Sequence, residues 1–252
     1  PRPLEFAATV LDHYRFEEEE DAHHKHNYFM GMPVPTVIDL GIFLWGIFVT
    51  VYGRVSLGSI RSFFVSFTGW SWLLITSRAG FEYAAWVTST STTHNQHNNQ
   101  QLATKLATIG SSLRFVTIAN ATVVCTIWNL VLLPIICFKS IPAGEKRRKF
   151  LKFNFGFFMT NIHIVNFPLA FVNILSGSRV RLFTLSDLWV AYLVILLYSI
   201  LYFFVMDRLG MHFYPILNPR TSFSVVSIFG VLGLYYLIFL KWNEYISFHA
   251  DV

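Results

Sequence analysis

Long apolar runs separated by shorter polar stretches dominate the chain from Pro35 onward. Six of them approach the roughly 20 residues that a helix needs to cross a hydrocarbon core. They are Pro35–Gly53, Ile60–Thr76, Phe115–Phe138, Phe155–Leu175, Leu188–Met206 and Phe223–Leu240. The third, fifth and sixth hold no Asp, Glu, Lys or Arg, whereas the second is the shortest and most polar. Barrel strands would alternate apolar and polar residues, and these runs are continuous. The pattern predicts an all-α fold, an integral membrane bundle of six transmembrane helices.

The polar stretches divide the rest of the chain. Residues 1–34 form an acidic tail around Glu17, Glu18, Glu19, Glu20 and Asp21. The six-helix domain then covers residues 35–242, and residues 243–252 are a C-terminal tail. Within the domain, residues 79–113 read as a low-complexity, disordered loop. They contain a Ser/Thr run followed by the Asn/Gln-rich tract His94–Gln101. The loop after the third span carries Lys146, Arg147, Arg148 and Lys149, a juxtamembrane cluster suited to anionic lipid. An even number of spans places both tails on one side, and this basic loop favours the cytoplasm for the opposite side.

Composition narrows the class further. Apolar residues make up 54% of the chain, aromatics 17% and charged residues only 13%, against about 25% charged in soluble domains. That excludes a soluble globule, and the same apolar content excludes general disorder. Cys125 and Cys137 share one apolar run. On a helix they lie about 18 Å apart, too far for a disulfide. Phosphate-loop, dinucleotide, Gly-x-Ser-x-Gly and zinc-protease signatures are missing, so no cofactor or metal is expected. His23, His24 and His26 match no closed metal site. The basic residues form no aromatic-interleaved patch, so nucleic acid is not an expected partner.

Candidate chemistry resides in polar residues within the spans, which are costly in lipid. Asp39 lies one turn into the first span, where a carboxylate also suits the helix dipole. His163, Asn166 and Asn173 fall within an arc of roughly 80° on the fourth span. Such a stripe must face protein or water, either as interhelical glue or as a site. Thr68 in the second span is at a similar depth to His163 on a parallel helix. A hydroxyl and an imidazole at one depth are the minimal pair for acyl transfer. Ser66 and Thr117 are rival hydroxyls, and Asn161 or Asn166 could orient the imidazole. Arg61 lies about two turns above Thr68 on one helical face, if the helix is continuous, and could hold a carboxylate.

Three segments together resemble one family. They are Asn161-Ile-His163-Ile-Val-Asn-Phe-Pro168-Leu, Gly210-Met-His-Phe-Tyr214-Pro215-Ile-Leu217, and Phe-Val-Ser-Phe-Thr68-Gly-Trp-Ser-Trp. The androgen-induced-gene-like family of multispan membrane proteins has similar motifs in the same order. It includes hydrolases of fatty acid esters of hydroxy fatty acids and the androgen-dependent regulator of tissue factor pathway inhibitor. His212 departs from this pattern, standing where the family usually has Trp. The resemblance spans about Pro35 to Trp242. It implies an intramembrane lipid-ester hydrolase with Thr68 as nucleophile and His163 as base. Arg61, Asn166, His212 and Tyr214 are the expected substrate-binding residues. Membrane lipids and a fatty ester are the expected partners, and the endoplasmic reticulum or another endomembrane the expected location. The alternative is a non-catalytic scaffold or partner subunit of the same family. A channel is a poorer fit, since the sequence shows no ring of charges and no internal repeat.

Overall fold

The computed structural model describes residues 28–29, 31–57, 61–91, 96–175, 181–210 and 223–250. A short hairpin pairs Tyr28 with Pro33 and Phe29 with Met32, and Gly31 takes a positive φ at its turn. All else that is regular is helical. The helices are α1 (Val34–Leu57), α2 (Arg61–Val65), α3 (Phe67–Thr90), α4 (Gln96–Ser112), α5 (Arg114–Thr126), α6 (Glu145–Asn154), α7 (Phe157–Leu175), α8 (Leu185–Met206) and α9 (Phe223–Ala250). α5 continues to Ser140 through wider π turns at Ile127–Leu132 and Ile136–Ser140. Five segments are long and apolar enough to cross a bilayer: Val34–Ser56, Gln96–Ser140, Phe157–Leu175, Leu185–Met206 and Ser224–Phe248. The protein is an all-α integral membrane bundle.

Contacts between helices fix their directions. Gly46 on α1 abuts Thr76 on α3, while Phe43 meets Gly80, so α1 and α3 are antiparallel. Gly53 abuts Phe158 while Asp39 bonds Asn173, so α1 is antiparallel to α7 as well. α3 and α7 are therefore parallel. Ser71 bonds Asn166 and Arg78 bonds Asn173, both pairs at a sequence separation of 95. Tyr235 on α9 donates to Asn120 on α5, and Asn243 brackets the Phe183 backbone with bonds of 2.7 and 2.9 Å. The core between these helices is aliphatic and aromatic, with Ile75, Phe115, Ile118, Ile174 and Tyr235 almost fully buried.

Several boundaries differ from those expected from sequence. Ile60–Thr76 is not one helix. The chain bends at Ser66, whose backbone is extended (φ −85°, ψ 146°) and whose hydroxyl accepts from Gly69 N to cap α3. The helix that starts there runs on to Thr90 and carries Arg78 and Glu82. Together with the Thr, Ser, Gly and Trp residues of α3, these charges leave it outside the set that qualifies by apolarity alone. The expected loop 79–113 is instead the end of α3 and the whole of α4. Gln, Leu, Ala and Lys are good helix formers, and Ala103 and Gly110, seven residues apart, bury one face of α4, with Gly110 against Glu82. The expected tail 243–252 is also helical through Ala250, because Asn243 ties it to Phe183. The acidic run and His23, His24 and His26 lie outside the described residues.

The bend at Ser66 depends on Gly69. A β-carbon there would collide with the Phe63 carbonyl, which is backbone and cannot rotate away. Gly69→Ala is expected to cost about 1–3 kcal/mol through overpacking, whereas Gly230→Ala, facing open space on α9, should be neutral or stabilising by under about 1 kcal/mol. Thermal unfolding of both variants in the same detergent checks the contrast.

Candidate functional site

The separation of 95 between bonded residues on α3 and α7 also relates Thr68 to His163. Two parallel helices in fixed register therefore hold these side chains at one level. Both are buried, at 5% exposure each. Among the described residues the structure shows no hydrogen bond between them, so the pair is level but not directly joined. Trp128 stands in relation to both. Its ring stacks on His163 at 4.1 Å between centroids with planes 14° apart. The same ring lines a cavity of about 80 Å³ whose wall includes Thr68, Val124, Ile127, Tyr198 and Ile228.

Local backbone irregularity produces this arrangement. His163 lies in a π turn, Asn161–Val165, and Trp128 lies in another, Ile127–Leu132. Each turn is followed by a proline, Pro168 and Pro134. A proline ring crowds the carbonyl four residues earlier and offers no N–H. Those carbonyls belong to Ile164 and Leu130, and each is inside its π turn. Asparagines serve the carbonyls of the disturbed ladder. Asn129 donates to His163 O at 3.3 Å, and Asn166 donates to Ile162 O at 3.1 Å. Indole N–H groups are answered likewise, Trp128 by Asn154 at 2.9 Å and Trp45 by Asn161 at 3.0 Å.

The expected helpers of His163 are thus engaged elsewhere. Asn161 pairs with Trp45 and its own helix. Asn166, expected to contact substrate, is fully buried against Ser71. The Nδ1 of His163 has no hydrogen-bond partner among the described residues. Ser66 is accounted for as the cap of α3, donating to Phe63 O at 2.9 Å. Thr117 is fully buried, and its hydroxyl also lacks a partner among the described residues. Arg61 belongs to α2, before the bend, so it does not share one continuous helix with Thr68. His212 and Tyr214 lie outside the described residues. The end of α8 that leads to them packs Tyr202 and Met206 with Val65 and Phe67, at the Thr68 end of the bundle. Cys125 and Cys137 are both free thiols.

A second polar cluster, about ten residues or 15 Å further along α3, was only partly legible in sequence. Asp39, expected near the headgroups, is buried and accepts from Asn173 Nδ2 at 2.7 Å. Arg78 donates to the Asn173 carbonyl at 2.8 Å and to its side-chain oxygen, and stands 3.6 Å from Glu82. Arg114 covers the Phe183 ring at 5.3 Å. Arg181 contacts both Asp187, at 3.3 Å, and Ser111. The missed signal is the periodicity of Thr68, Ser71, Arg78 and Glu82, which share one face of α3.

No family model, curated protein or solved structure matches this chain.

Among the described residues, Asn173 alone joins the Asp39 carboxylate to the Arg78 guanidinium by direct bonds. Asn173→Leu removes the side-chain bonds to both and should destabilise the protein by about 2–4 kcal/mol, since hydrogen bonds to charged groups contribute roughly 1.5–3 kcal/mol each. Urea unfolding in mild detergent reads this. A loss under about 1 kcal/mol would mean that the two Asn173 side-chain bonds do not hold the cluster together.

Proposed function

We propose that the chain is an intramembrane hydrolase of lipid esters, with fatty acid esters of hydroxy fatty acids as the substrate class and an endomembrane as its location. Thr68 attacks the ester carbonyl while His163 accepts its proton. The alkoxide then leaves with that proton, and water resolves the acyl-threonine. The observation that carries this reading is the common level of Thr68 and His163 on two parallel helices held in register. Thr68 is at the wall of an apolar cavity whose Trp128 stacks on His163. Apart from the hydroxyls of Thr68, Tyr198 and Ser199 and the Trp128 indole, that wall is hydrocarbon, which suits acyl chains. The basic segment Lys146–Lys149 of α6 suits anionic headgroups.

A specific observation favours the alternative of a non-catalytic scaffold. The cavity of about 80 Å³ is far below the roughly 300–1,000 Å³ typical of ligand pockets, and Thr68 and His163 are not hydrogen-bonded. A hydrolase must widen this space to admit an ester, whereas a scaffold need not.

A fluorophosphonate probe applied to membranes containing the full chain separates the two. Thr68 is expected to be labelled. Thr68→Ala should abolish labelling and Thr68→Ser should retain it. His163→Ala should slow labelling about 10²- to 10⁴-fold, the usual contribution of a positioned base. Ser66→Ala should keep labelling while costing about 1 kcal/mol of stability as a lost cap. Labelling that survives Thr68→Ala, or that never occurs in the wild type, removes the hydrolase reading.

A further inference from the structure

Hydrolysis inside a bilayer needs water at a place lipid keeps dry, and the Thr68 cavity is walled mainly by hydrocarbon. The bundle interior contains a polar line that reaches it. On α5, Arg114, Thr117 and Asn120 recur every three residues, and Asn120 lies one turn before Val124 and two turns before Ile127 of the cavity wall. On α3, Thr68, Ser71 and Arg78 share a face, and on α7, His163, Asn166 and Asn173 do so. The bonds Ser71–Asn166 and Arg78–Asn173 close the α3 and α7 stripes on each other.

The polar atoms on this line are incompletely served. Arg78 Nε, Arg114 Nη2, Thr117 Oγ1, Asn120 Nδ2 and His163 Nδ1 are buried with no hydrogen-bond partner among the described residues. Their residues are all at most 5% exposed. Buried polar groups left by protein are ordinarily satisfied by internal water, which holds about three hydrogen bonds. The line opens at Glu82 and Arg181, whose side chains are 27% and 32% exposed. The remaining charges offset one another, with Arg78, Arg114 and Arg181 against Asp39, Glu82 and Asp187, so a neutral ligand fits better than an ion.

We propose that this line is a water shaft, running from Glu82 past Arg78, Arg114, Thr117 and Asn120 to the Thr68–His163 level. The proposal rests on the hydrolase reading and names the route of its second substrate. Ester enters from the lipid side and water from the opposite end. In the step it serves, the water oxygen bonds to the acyl carbon and the bond from that carbon to Thr68 Oγ1 breaks. One water proton passes through the His163 imidazole to Thr68, and the other remains on the released carboxylic acid.

The test uses the full chain in lipid nanodiscs. X-ray hydroxyl-radical footprinting oxidises aromatic side chains adjacent to bound water. Tyr235, fully buried beside Asn120, is the reporter. Phe115, equally buried but packed on Phe183 and Phe239, is the control. After correction for intrinsic reactivity, Tyr235 should be oxidised several-fold faster than Phe115. Thr117→Val keeps the side-chain shape and removes the hydroxyl. It should lower Tyr235 oxidation and slow deacylation roughly tenfold, with the acylation burst unchanged. Wild-type Tyr235 as protected as Phe115 overturns the shaft, as does unchanged deacylation in Thr117→Val. Failure of the hydrolase reading is separate. It appears as no burst and no acyl-Thr68 in the wild type, while the footprint still decides whether the line is hydrated.

Discussion

A guanidinium within a membrane bundle is far from bulk solvent, so Arg78 needs polar partners inside the bundle. It is answered chiefly by Asn173, which bonds Asp39 at the same time. That single knot draws α1, α3 and α7 together and sets their register. A one-residue slip of α7 against α3 would turn Asn173 about 100° away from Arg78 and take from Arg78 and Asp39 the partner they share. Because the penalty for such a slip is several kcal/mol, the register is strict. The level relation of Thr68 and His163 follows from that register.

The helices that carry the candidate site are not regular, and the irregularity is economical. Pro134 and Pro168 each disturb a ladder that lipid could not repair. Asn129 and Asn166, near at hand, donate to carbonyls in the disturbed turn of α7. The π turns rotate the residues they contain out of the α-helical register, and this brings the Trp128 ring flat against His163. The aromatic face excludes lipid from one side of the imidazole, leaving the ring edge as its polar contact.

The apolar runs made the bundle legible, since lipid leaves few alternatives to a helix for backbone polar groups. The stripe of His163, Asn166 and Asn173 was legible for the same reason, because a period of 3.6 survives in the sequence. The course of α3 was not. Arg78 and Glu82 look like the start of a loop when hydropathy is read locally, and only their partners Asn173 and Gly110 show that Arg78 is interior and Glu82 is packed against α4. Ser66 was ambiguous because a cap and a nucleophile are the same residue type in sequence. The bend it caps interrupts the continuous helix that would have joined Arg61 to Thr68. Trp128 could have been suspected from Pro134, six residues on, but no local pattern connects it to His163, which is 35 residues away in another helix.

Under the hydrolase reading, the two halves of the bundle bear unequal duties. α1, α3 and α7 are joined by charge-assisted and amide hydrogen bonds, which lose much energy when stretched. The cavity wall opposite Thr68 belongs to α8 and α9, through Ile195, Ser199, Ile228 and Val231. Those contacts are largely aliphatic, with the Tyr192 hydroxyl donating to Leu232 O at 3.2 Å as a polar tie close by. Between helices in lipid, an aliphatic contact exchanges for an almost equivalent contact with acyl chains. Separating α8 from α9 therefore costs little dispersion energy when an acyl chain takes the vacated place. The polar half can then keep Thr68 level with His163 while the aliphatic half widens from about 80 Å³ to admit an ester. The same division would leave water to arrive through the polar half and lipid through the apolar one, so the two substrates need not compete for one entrance.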